Sequence, residues 1–236
     1  MTEGKSVGAV ILAGGHGTRM NSSVQKQYML LGGRPLIAYA LEAFDRSAAD
    51  RLVLVVPPGE SGYVRDRILP SCNLVREPCM VEGGKERYHS VYQGLKALEG
   101  CDYVLIHDGA RPLVTDAVIE RAIGGAVLYG ACVIGMPVKD TIKIADAEGY
   151  ASATPDRSRL WQIQTPQAFS YKLVRGAYDR LMEDEALQQG ITDDAMVVEN
   201  LAHHPVRLIE GTYENLKVTT PEDMILAEAL LKFKKR

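Results

Sequence analysis

The sequence contains few cysteines and aromatic residues, and it has no large excess of charge of either sign. Its 236 residues include four cysteines, one tryptophan and three phenylalanines, and 27 basic side chains stand against 30 acidic ones, a formal net charge of −3. This balance does not favour broad nucleic-acid binding, which requires a basic surface that releases counterions. We therefore expect no nucleic-acid partner, although local basic groups can still bind a small anionic ligand.

Cysteine and histidine patterns that bind metals are also missing. The cysteines at 72, 79, 101 and 132 include no Cys-x-x-Cys pair, and no histidine cluster has the spacing of zinc ligands. We expect free thiols in a reducing compartment, without a disulfide framework or a structural zinc ion.

Long hydrophobic runs are absent as well. The longest apolar run is shorter than the roughly 20 residues that a membrane-spanning helix needs. The first predicted strand begins at residue 7, which leaves no room for a signal or transit peptide. We expect a cytoplasmic protein with no membrane partner. The composition, 46% hydrophobic and 24% charged, is that of a globular domain.

Apolar runs alternate with helical stretches through the first 135 residues. Buried strands are predicted at 7–12, 52–56, 74–81, 103–107 and 131–135, and helices at 35–44, 64–69, 86–98 and 115–128. This alternation predicts an α/β fold with right-handed crossovers, a mostly parallel sheet and helices on both faces.

The alternation stops at Pro137. Residues 137–160 are polar and carry two short strand-like runs around Glu148-Gly149, which predicts a hairpin, here called the β-arm, that projects from the main sheet. A lone hairpin is barely stable in water, so we expect the β-arm to pack against something else, a partner subunit being one candidate. The α/β pattern then resumes, with helices near 171–182 and 193–201, a strand at 206–209 and a final helix. Without a repeat or linker, residues 1–236 are predicted to form one domain.

A glycine-rich loop, Ala13-Gly-Gly-His-Gly-Thr-Arg-Met20, follows the first predicted strand. Its glycines allow backbone N–H groups to approach phosphate oxygens. The spacing fits neither a dinucleotide fingerprint nor a P-loop. Arg19 and Lys26 place two cations near the loop, which suits a triphosphate, although solvated surface cations are the alternative.

Two other polar groups follow predicted strands. His107-Asp-Gly-Ala-Arg-Pro112 stands at a strand's carboxyl end, where open α/β sheets bind ligands. Asp108 could hold a ribose hydroxyl, a magnesium ion or a substrate hydroxyl, or it could belong to a simple Asp-Gly turn. The backbone of Gly83-Gly84, with Ser90 nearby, could recognise the edge of a pyrimidine.

Eight motifs occur in one order along the chain: LAGGHGTRM, QKQY, GGKERYHSV, HDGARP, PVKDTIK, PDRSRLWQIQTPQAF, TDDA and ENLKVTTPEDM. Together they resemble the 2-C-methyl-D-erythritol 4-phosphate cytidylyltransferase family over nearly the whole chain. The resemblance implies a single Rossmann-like nucleotidyltransferase domain in which the acceptor's phosphate attacks the α-phosphorus of CTP, a step of the non-mevalonate isoprenoid pathway. That phosphate is already anionic, so no dedicated base is needed, and the sequence shows no Ser-His-Asp or Cys-His arrangement.

The resemblance also implies a role for each matching residue. The catalytic cations are Arg19, Lys26, Arg157 and Lys217. The nucleotide contacts are Ala13, Gly14, Gly15, Gly17, Gly83, Ser90 and Asp108. The acceptor contacts are Asp108, Arg111, Thr141, Arg157, Thr165 and Lys217. Mg²⁺ is expected to bind mainly through the CTP phosphates, and the β-arm is expected to complete the partner's site in a homodimer. TDDA is interpreted as mainly structural, with Thr192 capping a helix.

Two other functions compete with this interpretation. Ribitol 5-phosphate cytidylyltransferase shares the loop, the lysine motif and the HDxxRP pattern, but residues 138–143 and 156–161 favour the methylerythritol enzyme. A non-catalytic nucleotide-binding protein on the same fold would have lost at least one of the four cations, and all four are present. One departure from the family pattern is Gly109, where alanine is usual and where glycine is expected to loosen the loop slightly.

Overall fold

The computed structural model of the chain describes residues 4–14 and 25–234. Its strands are β1 (Val7–Leu12), β2 (Leu30–Leu31), β3 (Arg34–Pro35), β4 (Arg51–Val56), β5 (Cys79–Glu82), β6 (Tyr103–Asp108), β7 (Ala131–Pro137), β8 (Ile144–Ala145), β9 (Ala151–Ala153), β10 (Trp161–Ser170) and β11 (Arg207–Glu210). The main sheet has the order β11-β7-β10-β6-β1-β4-β5, and β10 is its only strand antiparallel to its neighbours within the described residues. The predicted mostly parallel sheet is confirmed.

Helices cover both faces of this sheet. They are α1 (Leu36–Arg46), α2 (Ser61–Tyr63), α3 (Arg87–Ala97), α4 (Asp116–Tyr129), α5 (Tyr171–Glu183), α6 (Asp194–Ala202) and α7 (Pro221–Lys234). Helices α1 and α4 pack on one face, and α3, α5 and α6 pack on the other. Strand β1 supplies both cores because successive side chains alternate, with Ile11 in the first and Val10 in the second.

Local sequence signals set several element ends. Helix α4 begins after Thr115, whose side chain accepts a hydrogen bond from the Val118 N–H as predicted for an N-cap. Helix α6 differs from the prediction, because Asp193 rather than Thr192 is its N-cap and accepts from the Met196 N–H. A carboxylate at this position also interacts favourably with the helix dipole.

The sequence analysis missed strand β10, which lies antiparallel between β6 and β7. Pro166 interrupts its pattern, and its register on β7 shifts between Ile163 and Gln167. Alternation is weak in this segment because residues 164–169 are buried on both faces of the sheet, so no solvated face imposes a period of two. Strand β10 matters for the site because it brings Thr165 beside β6.

The predicted β-arm is confirmed. Strands β8 and β9 form a separate two-stranded antiparallel sheet, joined by a turn at Asp146 in which Gly149 has a φ of 89°. Every residue from 141 to 154 is exposed.

A third apolar cluster anchors the C-terminal segment next to the β6 loop. Leu31, Leu36, Ala110 and Val218 are buried within it, and the Val218 N–H donates a 2.8 Å hydrogen bond to the Ala110 carbonyl. This contact fixes the neighbouring Lys217 near the end of β6. No helix in the described part of the chain is long and apolar enough to cross a membrane.

Candidate active site

A cavity of about 230 Å³ opens at the carboxyl ends of β1 and β6. It lies where parallel α/β sheets bind their ligands. Its lining residues are Leu12, Gly14, Lys26, Gln27, Gly84, Lys85, Glu86, Arg87, Ser90, Asp108, Ala110 and Lys217. Five separate chain segments therefore meet at one point, and four of the lining side chains are cationic.

The start of the glycine loop forms one wall of the cavity. Gly14 lines it, whereas Ala13 is buried beneath it, with its N–H bonded to the Val55 carbonyl and its own carbonyl accepting from the Gln27 side chain. Lys26 enters the cavity from a 3₁₀ turn, Lys26–Tyr28. The predicted nucleotide contacts Gly15 and Gly17 and the predicted catalytic Arg19 lie outside the described residues.

The segment between β5 and α3 forms the opposite wall. Gly84 lines the cavity, and its N–H donates a 3.2 Å hydrogen bond to Ser90 Oγ, which also lines it. The Gly83 N–H is bonded to the Val56 carbonyl and Gly83 does not line the cavity itself, so its expected contact with the base stays a prediction. A Cβ on Gly84 would lie 2.4 Å from the Cβ of His89, so only glycine fits this approach.

Asp108 lies between two cations at the end of β6. Lys217 Nζ is 2.7 Å from its Oδ2, and Arg87 Nε is 3.3 Å from its Oδ1. Burial alone would raise the pKa of this carboxyl, but the charges of Arg87 and Lys217 hold it well below its usual range. Asp108 is therefore ionised, and both its oxygens are engaged.

The neighbouring His107 is fully buried, and burial lowers its pKa to about 4. Its Nε2 is 3.2 Å from the Arg111 carbonyl oxygen, which can only accept, so Nε2 carries the proton. Its Nδ1 accepts from the Thr165 hydroxyl at 3.0 Å, and Thr165 Oγ1 in turn accepts from the Asp108 N–H at 3.1 Å. Thr165, expected to contact the acceptor, thus also fixes the backbone of Asp108.

A second cavity of about 300 Å³ adjoins the first. Arg87, Asp108 and Lys217 line both, and Arg111 and Thr165 line the second. Arg111 is 8% exposed, and its Nη1 donates a 2.7 Å hydrogen bond to the Asn215 carbonyl. Its burial lowers the pKa of the guanidinium. The two cavities therefore lie on either side of one carboxylate and two cations, those of Asp108, Arg87 and Lys217.

Two predicted site residues lie apart from both cavities. Thr141 and Arg157 are exposed on the β-arm segment, and Arg157 Nη1 donates a 2.6 Å hydrogen bond to the Lys139 carbonyl. Neither lines either cavity. Within one chain, therefore, Arg157 does not meet Lys217.

The described residues offer no cluster of three or more His, Cys, Asp or Glu side chains suited to a metal ion. The carboxylate in the cavity, Asp108, has Arg87 on one oxygen and Lys217 on the other. A divalent cation at this position would therefore depend on oxygen ligands that a phosphate supplies.

The sequence analysis missed Arg87 and Asp194 as residues of the site. Asp194 accepts two hydrogen bonds of 2.8 Å from the Arg87 guanidinium and one of 2.6 Å from the Tyr178 hydroxyl. Both residues stand inside motifs used for the resemblance, GGKERYHSV and TDDA. Nothing in the sequence indicated that these two residues pair, because 107 positions separate them.

At residue 109 the loop approaches β1 closely. A Cβ there would lie 2.8 Å from the Leu12 carbonyl oxygen, to which the Gly109 N–H donates at 2.9 Å. Glycine therefore permits this close approach of the two strand ends, and the alanine usual in the family would need a slightly wider one.

The fold and the cavity define the class of the protein. A mostly parallel α/β sheet carries, at the carboxyl ends of its strands, a glycine-lined cavity with several cations and one ionised aspartate. This is the α/β nucleotidyltransferase arrangement.

The family model described as 2-C-methyl-D-erythritol 4-phosphate cytidylyltransferase matches residues 7–233, and the chain belongs to this family. A relative of that name from Lachnospira eligens is 48% identical over 225 residues, 95% of this chain and 98% of the relative. One from Lachnoclostridium phytofermentans is 46% identical over 97% of both chains.

Solved structures agree with the family assignment. The 4-diphosphocytidyl-2C-methyl-D-erythritol synthase of Anaerococcus prevotii superimposes with a TM-score of 0.84, at 33% identity and 98% coverage of both chains. The cytidylyltransferase of Thermus thermophilus gives 0.76 at 31% identity, covering 96% of this chain and 99% of its own. The chain is thus a cytidylyltransferase by family.

Proposed function

We propose that the protein transfers CMP from CTP to 2-C-methyl-D-erythritol 4-phosphate, giving 4-diphosphocytidyl-2-C-methyl-D-erythritol and pyrophosphate. The observation that carries this proposal is the convergence of Lys26, Lys217 and Asp108 on one cavity in a chain of this family. An oxygen of the acceptor's phosphate attacks the α-phosphorus, and the bond to the bridging oxygen of pyrophosphate breaks with its electron pair. Positioning and charge stabilisation then account for catalysis.

The cavity residues named above each have a role in this reaction. Lys26 neutralises charge that develops on the α-phosphate, and Gly14 presents its backbone to the triphosphate. Ser90 and the Gly84 backbone face the cytosine. Asp108 accepts a hydroxyl hydrogen bond where the two cavities meet, and Lys217 holds the acceptor's phosphate beside Arg111 and Thr165. Arg19, Gly15 and Gly17 keep the roles that the resemblance implies.

We propose Mg²⁺ as the cofactor, held mainly by the CTP phosphates. When bound, it would withdraw charge from the phosphoryl oxygens. The cationic lining of Lys26, Lys217 and Arg87, with a carboxylate already engaged by two cations, supports a metal that arrives with the nucleotide rather than one held by protein ligands.

We further propose that the chain acts as one domain, residues 1–236, and as a homodimer joined through the β-arm. The exposure of Thr141 and Arg157, away from the cavities of their own chain, supports their use in the partner's site. The four free thiols, Cys72, Cys79, Cys101 and Cys132, support a reducing, cytoplasmic location.

Pyrophosphate release tests the reaction. With CTP and Mg²⁺, we expect turnover with 2-C-methyl-D-erythritol 4-phosphate and none with ribitol 5-phosphate. Turnover with ribitol 5-phosphate alone would overturn the acceptor but keep the cytidylyl transfer. A protein that binds CTP and releases no pyrophosphate with either acceptor would contradict the proposed function.

A further inference from the structure

Asp194 is a fully buried carboxylate whose oxygens are both committed to one guanidinium. It is the first residue of α6, and its side chain has 0% exposure. Its Oδ1 and Oδ2 accept 2.8 Å hydrogen bonds from Nη1 and Nη2 of Arg87, and Tyr178 donates a further one to Oδ1. Moving Arg87 away would leave the buried Asp194 carboxylate without a compensating charge, which is costly. The pair therefore holds Arg87 in place.

The same guanidinium faces the cavity with its remaining nitrogen. Nε of Arg87 lies 3.3 Å from Oδ1 of Asp108, while Nζ of Lys217 lies 2.7 Å from Oδ2. Because the guanidinium is planar and rigid, holding Nη1 and Nη2 on Asp194 also fixes the direction of Nε–H. Asp194 thereby sets the position of a donor beside Asp108, although it lines neither cavity itself.

We propose that Arg87, held by Asp194, is a positioning residue that fixes Oδ1 of Asp108 and leaves Oδ2 to Lys217. The inference rests on the proposed function, because Asp108 and Lys217 stand where the nucleotide and the acceptor meet. The TDDA motif then serves the site through Asp194, in addition to beginning α6.

The charged groups around Asp108 come from several elements. Arg87 from α3 and Lys217 from the segment before α7 touch it, and Arg111 lies in its own loop. On the cavity walls stand Lys26, Lys85 and Glu86, and Asp193 lines the second cavity. His107 is adjacent in sequence and is neutral above pH of about 4. Among these described groups, Arg87 is the one in contact with Oδ1.

A double-mutant cycle tests whether Arg87 acts through Asp108. We expect Arg87→Gln to lower kcat about tenfold or more while the KM for CTP changes less than about threefold. In an Asp108→Asn background, the same substitution should change kcat by less than about threefold, because the residue it positions is already altered. Additive losses would overturn the proposal, since Arg87 would then act independently of Asp108.

Two further variants separate charge from geometry. Arg87→Lys keeps the charge but cannot bind Asp194 in bidentate fashion and reach Asp108 at once, so kcat should fall nearly as far as in Arg87→Gln. Asp194→Asn keeps the shape of the anchor and should lower kcat in the same direction. Wild-type kcat in Arg87→Lys or Asp194→Asn would overturn the positioning role.

A matched pair elsewhere controls for stability. Arg76 and Asp45 form an ion pair of 3.0 Å with side-chain exposures of 39% and 1%, close to the 31% and 0% of Arg87 and Asp194. Arg76→Gln should lower Tm as Arg87→Gln does and leave kcat unchanged, because Arg76 lines neither cavity. If both variants lose kcat in proportion to Tm, the Arg87 effect is structural and the proposal fails.

A measurement without substrates keeps the inference separate from the proposed function. Carbon-13 NMR of the carboxyl group follows the titration of Asp108 in the wild type, Arg87→Gln and Arg76→Gln. We expect this carboxyl to stay ionised in the wild type and Arg76→Gln down to the lowest pH at which they remain folded, and its pKa to rise in Arg87→Gln alone, because Lys217 is then its only contacting cation among the described residues. A carboxyl that stays ionised over the same pH range in Arg87→Gln would refute the inference even if the enzyme turns over, whereas its protonation within that range in a protein without turnover would refute only the proposed function.

Discussion

At the scale of single residues, His107 controls the orientation of the loop that carries Asp108. Its Nε2–H donates to the Arg111 carbonyl, and its Nδ1 accepts from Thr165, which accepts from the Asp108 N–H. Protonation of Nδ1 would replace an acceptor by a donor and remove the bond from the Thr165 hydroxyl. The Thr165 hydroxyl would then have to turn its own proton away and accept from Nδ1–H, so burial, rather than this network alone, keeps His107 neutral.

Stability should consequently depend on pH between about 6.5 and 4. The pKa of His107 falls from 6.5 to about 4 on folding, so the unfolded chain takes up a proton in this range that the folded protein does not. The free energy of unfolding is then highest above pH 6.5 and falls as pH decreases, by up to about 1.4 kcal/mol per pH unit. Urea unfolding at several pH values measures this dependence. His107→Gln, whose side chain cannot be protonated in this range, should be less stable at pH 7 and show a shallower slope of unfolding free energy against pH. An equal slope in this variant would exclude His107 as the source of the pH dependence.

Lys26 is the described cation that follows the glycine loop, on the 3₁₀ turn Lys26–Tyr28. We expect Lys26→Ala to lower kcat about a hundredfold with a smaller change in the KM for CTP, because its contact strengthens as charge develops on the α-phosphate. Steady-state rates of pyrophosphate release measure both constants. Lys85→Ala, which removes another cation of the same cavity, should have a much smaller effect. Equal losses in both variants would indicate only general attraction of CTP.

At the scale of elements, the β-arm is anchored at its base and exposed beyond it. The Tyr213 hydroxyl donates a 2.9 Å hydrogen bond to the Pro137 carbonyl, and Lys139 Nζ lies 3.4 Å from the centre of the Tyr213 ring. Ile144 and Tyr150 are exposed at 52% and 70%. A short hairpin with exposed apolar side chains and a fixed base suits packing against a second copy of the chain.

Arg157 should therefore act on the acceptor alone. We expect Arg157→Ala to raise the KM for 2-C-methyl-D-erythritol 4-phosphate about tenfold or more, because a cation that holds its phosphate is lost. CTP binding, measured by calorimetry, should stay within about twofold. Arg159→Ala, two positions away in the same 3₁₀ turn, is the control and should resemble the wild type. Loss of CTP binding in Arg157→Ala would contradict this placement of the β-arm.

At the scale of the whole molecule, the proposed dimer makes two half-sites meet. Lys217 belongs to the body of one chain, and Arg157 would come from the β-arm of the other. A mixed dimer of Lys217→Ala and Arg157→Ala subunits would then carry one site with both substitutions and one fully wild-type site.

Mixing the two impaired variants should restore activity when it is assayed at an acceptor concentration well below the raised KM of Arg157→Ala. If subunits exchange at random, about half of the dimers are mixed and half of their sites are intact, so activity should reach about a quarter of the wild-type value. The measurement is pyrophosphate release after co-refolding, with each variant alone as the control. No recovery, in a preparation shown by native mass spectrometry to contain mixed dimers, would mean that each chain completes its own site.

Local patterns predicted much of the fold because local interactions determine those elements. The apolar run of β1, the alternation through β7, the Thr115 cap and the β-arm turn each depend on residues close in sequence. The family motifs also indicated that Lys26, Ser90, Asp108 and Lys217 belong together, and all four line one cavity.

Strand β10 and the site's ion pairs were decided by tertiary structure. Strand β10 lies between β6 and β7 and is buried on both faces over residues 164–169, so its own pattern carried little signal. Arg87 meets Asp194 only because α3 and α6 pack on the same face of the sheet. The choice of Gly84 over Gly83 as a cavity residue likewise depends on the bond from Gly83 to the neighbouring strand. The sequence by itself thus determined the family and the types of side chain available to the site, because the residues of each motif are close together in the chain. The tertiary structure decided which charges are paired, since pairing depends on distances that only the packed sheet and helices define.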